Sequence, residues 1–161
     1  MKRFVEIMLS AVLTLILFAG GAFAATPENI LVIAWQFDDI VTLDPAEIFE
    51  FSGAEFAGNC YDRLIGYSPE NVEEIRGVVA ESWKVGEDGR TYTFKIRKGM
   101  SFASGNPVTA EDAAFSLQRT VILGKSPSFI LTQFGFTGDN VRDKIRATDD
   151  RTLVIETDKT Y

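Results

Sequence analysis

A stretch around one Asp-Gly pair constrains the fold of this chain more than any other feature. Asp88 and Gly89 lie between two short runs in which apolar and polar side chains alternate, residues 82–85 and 91–97. Alternation with a period of two is typical of strands that bury one face, and tight hairpins prefer Asp-Gly at the turn. The pattern predicts an antiparallel hairpin whose buried face carries Trp83, Val85, Tyr92, Phe94 and Ile96.

A helix and a second hairpin are predicted further along the chain. Thr109 and Asp112 have the spacing of a capping box, so a helix is expected to begin there. Residues 144–148 and 152–157 flank a turn rich in Asp, which predicts the hairpin. Residues 128–136 fit a short helix and an extended segment equally well. The buried side of the helix is expected to carry Ala113, Phe115, Leu117, Thr120, Val121 and Ile122.

Two more elements are predicted nearer the N-terminus. Residues 30–35 form a continuous apolar run, which is typical of a strand buried on both faces. Asp44, Pro45 and Glu47 form a helix-start signal, with Asp as the cap and Pro in the first turn. The helix is expected to carry one apolar stripe, made of Phe49, Gly53, Phe56, Cys60 and Leu64. We expect Cys60 to be buried and inert.

The first two dozen residues have the layout of a secretory signal. Lys2 and Arg3 are basic, an apolar run follows, and a small-residue cleavage pattern ends at Ala24. We expect residues 1–24 to be removed between Ala24 and Ala25, so that the chain works outside the cytoplasm. The alternative is an uncleaved membrane anchor, because the apolar run is almost long enough to span a bilayer.

Composition excludes several classes of chemistry. The 161 residues include no histidine, which removes the usual general base, and one cysteine, which cannot form an internal disulfide. The net charge of −7 lacks the basic surplus that nucleic-acid binding requires. We expect no catalytic residue, no metal site and no cofactor. Asp149 and Asp150 are typical of a turn, which leaves Asp38 and Asp39 as the pair that an acid-base or calcium role would use.

The order of the motifs resembles a known family. After the N-terminal signal and the apolar run come Leu-Asp-Pro at 43–45, Tyr-Asp-Arg-Leu at 61–64 and Val-Ala-Glu-Ser-Trp at 79–83. An Asp-Gly-x-Thr-Tyr-Thr-Phe series over 88–94 and Pro-Val-Thr-Ala-Glu-Asp over 107–112 follow. The series resembles the N-terminal part of the extracytoplasmic solute-binding proteins that deliver oligopeptides, dipeptides and nickel chelates to ABC importers. Residues 102–105 depart from the family, because Phe-Ala-Ser-Gly stands where Phe-His-Asp-Gly is frequent.

The resemblance implies an α/β fold of the periplasmic-binding-protein type II kind, present in part. Residues 25–45 would be the first strand and ligand-side loop of lobe one. Residues 46–161 would be the α/β subdomain inserted into that lobe, truncated at its C-terminal end. Because family members have two lobes that close on the ligand and are several times longer, we expect this sequence to be a fragment.

The function that the resemblance implies is capture of a peptide or similar small solute without catalysis. Its partners would be the ABC permease and ATPase subunits, with no nucleic acid and no membrane contact except through the transporter. Two alternatives from other classes are a small secreted hydrolase that uses a carboxylate pair and a signal-anchored structural domain. The residues expected to contact the solute lie in the loop after the first strand and at the start of the next helix: Trp35, Gln36, Phe37, Asp38, Phe49, Glu50 and Phe51.

Overall fold

The computed structural model describes residues 3–5, 8 and 26–161, and the chain divides into two units at residues 1–35 and 36–161. In the first unit, residues 30–35 are exposed and form no strand, so the prediction of a buried strand there is wrong for this structure. A strand is stable only when neighbouring strands satisfy its backbone groups, and no described strand pairs with this segment. Leu31 and Val32 are consequently 83% and 70% exposed.

The predicted secretory signal, residues 1–24 with cleavage between Ala24 and Ala25, lies outside the described residues except for 3–5 and 8. Within the part of the chain that the structure describes, no helix combines the length and the apolar character needed to cross a membrane.

The second unit combines helices with two antiparallel sheets. The elements in chain order are α1 (Phe51–Cys60), β1 (Ile65–Tyr67), β2 (Ile75–Gly77), β3 (Ala80–Val85), β4 (Thr91–Ile96), α2 (Ala110–Leu123), a 3-10 helix (Ser126–Ser128), α3 (Phe129–Thr132), α4 (Val141–Lys144), β5 (Ile145–Asp149) and β6 (Thr152–Glu156). The small sheet pairs β1 with β2, and the four-stranded sheet has the order β3-β4-β6-β5.

Both predicted hairpins are confirmed. β3 pairs with β4 around Gly89, whose φ is 65°, and β5 pairs with β6. Trp83 lies directly opposite Phe94, but Trp83 is 37% exposed whereas Phe94 is buried. Trp83 and Val85 were expected on the buried face. They are exposed because β3 is the edge strand of its sheet, and the residues that bury Phe94 on β4 do not extend over β3.

Helix α2 packs against the four-stranded sheet and is capped as predicted. The Thr109 side chain accepts from the Asp112 amide, and the Asp112 carboxylate accepts from the Thr109 amide. Phe115 and Ile122, expected on the buried side, are 60% and 43% exposed because they lie away from the sheet. The buried core of the unit consists of Ala80, Phe94, Ile96, Ala110, Ala114, Val121, Phe136, Val141, Ile145 and Leu153.

Helix α1 begins later than predicted. Asp44 caps only a single turn, in which its carboxylate accepts from the Ala46 amide at 3.0 Å, and the helix starts at Phe51. The backbone of Glu50 is extended (φ −79°, ψ 152°), so the helical conformation is interrupted between the turn at Asp44 and helix α1. Ala46 and Ile48, which precede this interruption, are buried. The stripe is therefore divided, with Phe49 before the helix and Leu64 after it. Cys60 is exposed rather than buried, because it is the last residue of the helix.

Candidate functional site

Ser52 connects the two stretches that the sequence marked as solute-contacting. Its hydroxyl donates to the Gln36 carbonyl at 3.2 Å, and its backbone amide donates to the Asp39 carboxylate at 3.3 Å. Ser52 is only 3% exposed, so the Ser52 end of each bond is buried, whereas Gln36 and Asp39 are exposed. The loop after residue 35 is thus held beside the first turn of α1, where Phe51 begins the helix.

The polar groups of this region are organised around carboxylates. The Gln36 side-chain amide donates to Asp38 at 2.7 Å, and the Phe49 backbone amide donates to Glu50 at 3.1 Å. Hydrogen bonding by the side chain and the amide of Ser52 holds the pKa of Asp39 below its usual value. The loop and the helix start consequently present negative charge at neutral pH.

Three phenylalanine rings in this region face solvent. Phe37 is 61% exposed, Phe49 is 58% exposed and Phe51 is 90% exposed. Phe49, a member of the predicted apolar stripe, precedes the helix and contacts Phe129 edge to face, with 5.6 Å between ring centroids. Phe56, another member of that stripe, is half-buried in α1. Exposed rings next to carboxylates provide apolar contact area beside fixed charges.

An ion pair attaches the same region to helix α2. Arg119 donates from Nη1 and Nη2 to the two carboxylate oxygens of Asp44, at 2.7 and 2.6 Å. The side chains are 36% and 31% exposed. The hydrogen bonds from Arg119 lower the pKa of Asp44 to about 2. This role of Asp44 is not apparent from the sequence, because the motif around Asp44 indicates only a helix cap and nothing in the sequence identifies Arg119 as its partner.

We call residues 36–51 the candidate binding segment. It contains six of the seven residues expected to contact solute, and the Ser52 contacts hold its two ends near one another. Trp35 belongs to the preceding unit, where it is 52% exposed.

A separate cleft of about 600 Å³ lies between the end of α1, the 100–108 loop and α2. None of the candidate binding segment lines it. Its apolar walls include Leu64, Val79, Met100, Phe102, Val108 and Leu117.

Three carboxylates of the two acidic pairs accept hydrogen bonds from nearby groups. The Asp149 carboxylate accepts from the Thr152 hydroxyl and the Arg151 amide, which is the geometry of a turn, and its pKa is lowered mainly by Thr152. Asp39 is bonded to Ser52 and Asp38 to Gln36. Among the residues that the structure describes, no group of three or more acidic or cysteine side chains is placed to hold a metal ion.

Comparison with known proteins adds an independent observation. Residues 74–161, more than half of the chain, match the profile of the middle region of the bacterial extracellular solute-binding proteins of family 5. Over 66% of this chain, 34% of residues are identical to the probable D,D-dipeptide-binding periplasmic protein DdpA of Escherichia coli. Over 64%, 34% are identical to an Escherichia coli glutathione-binding protein, GsiB.

The chain spans about a fifth of the length of these curated relatives, 21% and 19% respectively. Among solved structures, the substrate-binding domain of an oligopeptide ABC transporter from Bacillus anthracis superposes with a TM-score of 0.65 at 27% identity. That superposition covers 74% of this chain and 24% of the other. The described fold is therefore the partial periplasmic-binding-protein type II fold that the motif order implied.

Proposed function

The chain belongs to family 5 of the bacterial extracellular solute-binding proteins, and we propose that it forms part of the surface with which such a protein captures a peptide or similar small solute. The match over residues 74–161 is the observation that carries the proposal. The relatives are named for binding dipeptides and glutathione, so the solute class proposed here is short peptides and peptide-like molecules.

The candidate binding segment would supply one wall of the site. Peptides are recognised through main-chain hydrogen bonds and through the charges at their ends. Asp38 and Glu50 carry carboxylates suited to an ammonium group, and Phe37 and Phe51 offer exposed rings to apolar side chains. The remaining contacts would come from residues outside this chain, because the matched stretch covers only about a fifth of each relative.

The proposed action is capture without bond making or breaking. A second lobe would close over the solute, and the solute would stabilise the closed state by contacting both lobes. The closed protein would then present the solute to the permease and ATPase subunits of an ABC importer. The relatives are named as binding proteins, which supports a non-catalytic role.

Secretion by a cleaved signal is part of the same proposal. The family to which the chain belongs is named as extracellular, and one of the relatives discussed above is named as periplasmic. N-terminal sequencing of the protein recovered from outside the cytoplasm should begin at Ala25. An N-terminus at Met1 in the membrane fraction would instead support the anchored structural domain.

Isothermal titration of the full-length gene product tests the capture proposal. Three probes are used in separate titrations: D-alanyl-D-alanine, reduced glutathione and trialanine. We expect saturable binding of at least one probe, and mass spectrometry should recover that probe unchanged. Absence of binding by all three contradicts the proposed solute class, and appearance of hydrolysis products contradicts capture without catalysis and favours the secreted hydrolase.

A pair of phenylalanine variants tests the role of the segment. Phe51 and Phe115 both lie on helices and are 90% and 60% exposed, but Phe51 alone belongs to the candidate binding segment. Phe51→Ala should weaken binding of the probe about fivefold, the effect of losing part of one aromatic contact, while Phe115→Ala should not change it. Equal effects of the two variants would remove Phe51 from the proposed site.

A further inference from the structure

The candidate binding segment is attached to the core at its beginning, in its middle and at its end, and Ala46 and Ile48 within it are buried. At its beginning, Gln36 and Asp39 bond to Ser52. At its end, Phe49 contacts the ring of Phe129. Between these points Asp44 forms an ion pair with Arg119, and Glu47 also interacts electrostatically with Arg119.

Asp44 has two separate tasks in that middle part. Its Oδ1 accepts from the Ala46 amide at 3.0 Å, and its backbone carbonyl accepts from the amides of Glu47 and Ile48, which closes the local turn. Its two carboxylate oxygens also receive the forked guanidinium of Arg119. A two-pronged contact fixes orientation as well as distance, which a single point charge cannot do.

Arg119 is itself held on a rigid support. The neighbouring side chain of Gln118 donates to the Ile145 carbonyl at 2.7 Å, which joins α2 to the first residue of β5. Helix α2 is capped at Thr109 and contributes Ala110, Ala114 and Val121 to the buried core. A continuous chain of contacts therefore runs from the sheet through Gln118 and Arg119 to Asp44.

We propose that the Asp44–Arg119 pair is a clasp that positions the candidate binding segment on the core, so that solute affinity depends on it. The proposal rests on the proposed function for its second part only. Asp44 and Arg119 are positioning residues here, acting through the segment on either side of them. Loss of the clasp should free residues 44–48 while leaving the sheet and helix α2 folded.

Amide exchange measured by mass spectrometry tests the positioning part without any solute. Asp44→Asn retains an oxygen acceptor for the Ala46 amide but removes the charge, and Arg119→Gln removes the charge from the other side. Each should raise exchange of the backbone amides of Asp44 and residues 46–48 about tenfold, with no change in β4 and β6. Arg119→Lys, which retains the charge without the fork, should give an intermediate value.

Arg142→Gln is the matched control, because Arg142 is also an exposed arginine on a helix, α4, and has no ion pair among the described residues. It should leave exchange at residues 44–48 unchanged. Unchanged exchange at these residues in both Asp44→Asn and Arg119→Gln would overturn the clasp. A rise spread evenly over β4 and β6 would also overturn it, since that result describes general destabilisation.

The dependence of solute affinity on the clasp is tested by isothermal titration of the full-length gene product. The probe is whichever of D-alanyl-D-alanine, reduced glutathione and trialanine the wild-type protein binds. Arg119→Gln should weaken that probe about fivefold, with partial recovery in Arg119→Lys. Raised exchange with an unchanged dissociation constant would overturn the link to affinity. If the wild-type protein binds none of the three, the proposed function is what fails, and the exchange measurement still decides whether the pair holds the segment.

Discussion

Phe49 and Phe129 meet edge to face, with their rings at 84° and their centroids 5.6 Å apart. Phe129 begins α3 and lies in the part of the chain that matches the family profile, whereas Phe49 lies before that part. The contact therefore joins the end of the candidate binding segment to the part of the chain that matches the family. Both rings remain more than half exposed.

The ring contact predicts a measurable coupling between Phe49 and Phe129. Edge-to-face pairs contribute about 0.5–1.5 kcal/mol beyond burial, and the exposure of both rings places this pair near the lower end. A double-mutant cycle with Phe49→Ala and Phe129→Ala, followed by urea unfolding, should give a coupling of about 0.5 kcal/mol. The cycle of Phe49→Ala with Phe115→Ala serves as the control and should be additive. A zero coupling in the first cycle contradicts the contact.

Acid should weaken the folded state partly through Asp44. Its pKa in the folded protein is lowered to about 2 from the usual 3.8, mainly by the hydrogen bonds from Arg119. A lowered pKa means that the stabilising contribution is present above the unfolded value and is lost as the pH falls from about 4 toward about 2. Asp44→Asn should therefore flatten this part of the curve of unfolding midpoint against pH.

Arg119→Gln should flatten the same part of the curve, since both variants remove the same ion pair. Some acid sensitivity should remain in each, because hydrogen bonds from Thr91 also lower the pKa of Asp88 to about 2. Curves that run parallel to that of the wild-type protein from pH 6 to pH 2 would contradict the assignment for Asp44.

The cap of helix α2 should contribute to stability in a way that a hydroxyl alone can restore. Thr109→Ala removes the side-chain acceptor for the Asp112 amide and should cost about 1 kcal/mol of unfolding free energy. Thr109→Ser retains that acceptor and should stay within a few tenths of the wild-type value. Urea unfolding monitored by circular dichroism measures both, and equal losses in the two variants would exclude the cap as the cause.

Gly135 should tolerate a side chain less well than Gly99. Both have left-handed backbone, with φ of 85° and 80°, so either Ala variant costs about 1 kcal/mol for conformation. A Cβ at Gly135 would lie 2.5 Å from the Cβ of Asp158, whereas one at Gly99 would meet nothing within 4 Å. The Asp158 amide donates to the Phe134 carbonyl at 3.2 Å, which limits how far Asp158 can move away.

Gly135→Ala should consequently cost about 1–3 kcal/mol more than Gly99→Ala in urea unfolding, the usual range for an overpacked site. The difference between the two variants isolates the contact with Asp158, since the conformational cost is common to both. Equal costs would indicate that residues 158–161 move freely away from Gly135.

Elements that depend on local signals were predictable from the sequence. The Asp-Gly pair and the alternation around it identified the hairpin of β3 and β4, and the spacing of Thr109 and Asp112 identified the start of α2. These patterns succeed because a turn or a cap is decided by residues that are neighbours in the chain. The same local signal was incomplete at Asp44, where a cap is present but the helix does not continue from it.

Burial along those elements was less predictable. Trp83 has the alternation of a buried position, but its strand lies at the edge of the sheet, and Phe115 faces away from the sheet that α2 covers. Residues 30–35 have the composition of a buried strand, yet they are exposed and form no strand. In each case the missing information was which other element lies alongside, and the local sequence does not contain it.

By itself, the sequence determined the two hairpins, the capped helix and the family to which the chain belongs. Each of these is encoded in residue types at short, fixed spacings. Only the tertiary structure decided that Arg119 binds Asp44 from 75 residues away, that Phe49 contacts Phe129, and that Ser52 bonds to Gln36 and Asp39. Such contacts depend on how separate elements pack against one another. A chain contains many residues of the same type that could form each contact, so spacing in the sequence cannot identify the actual partner.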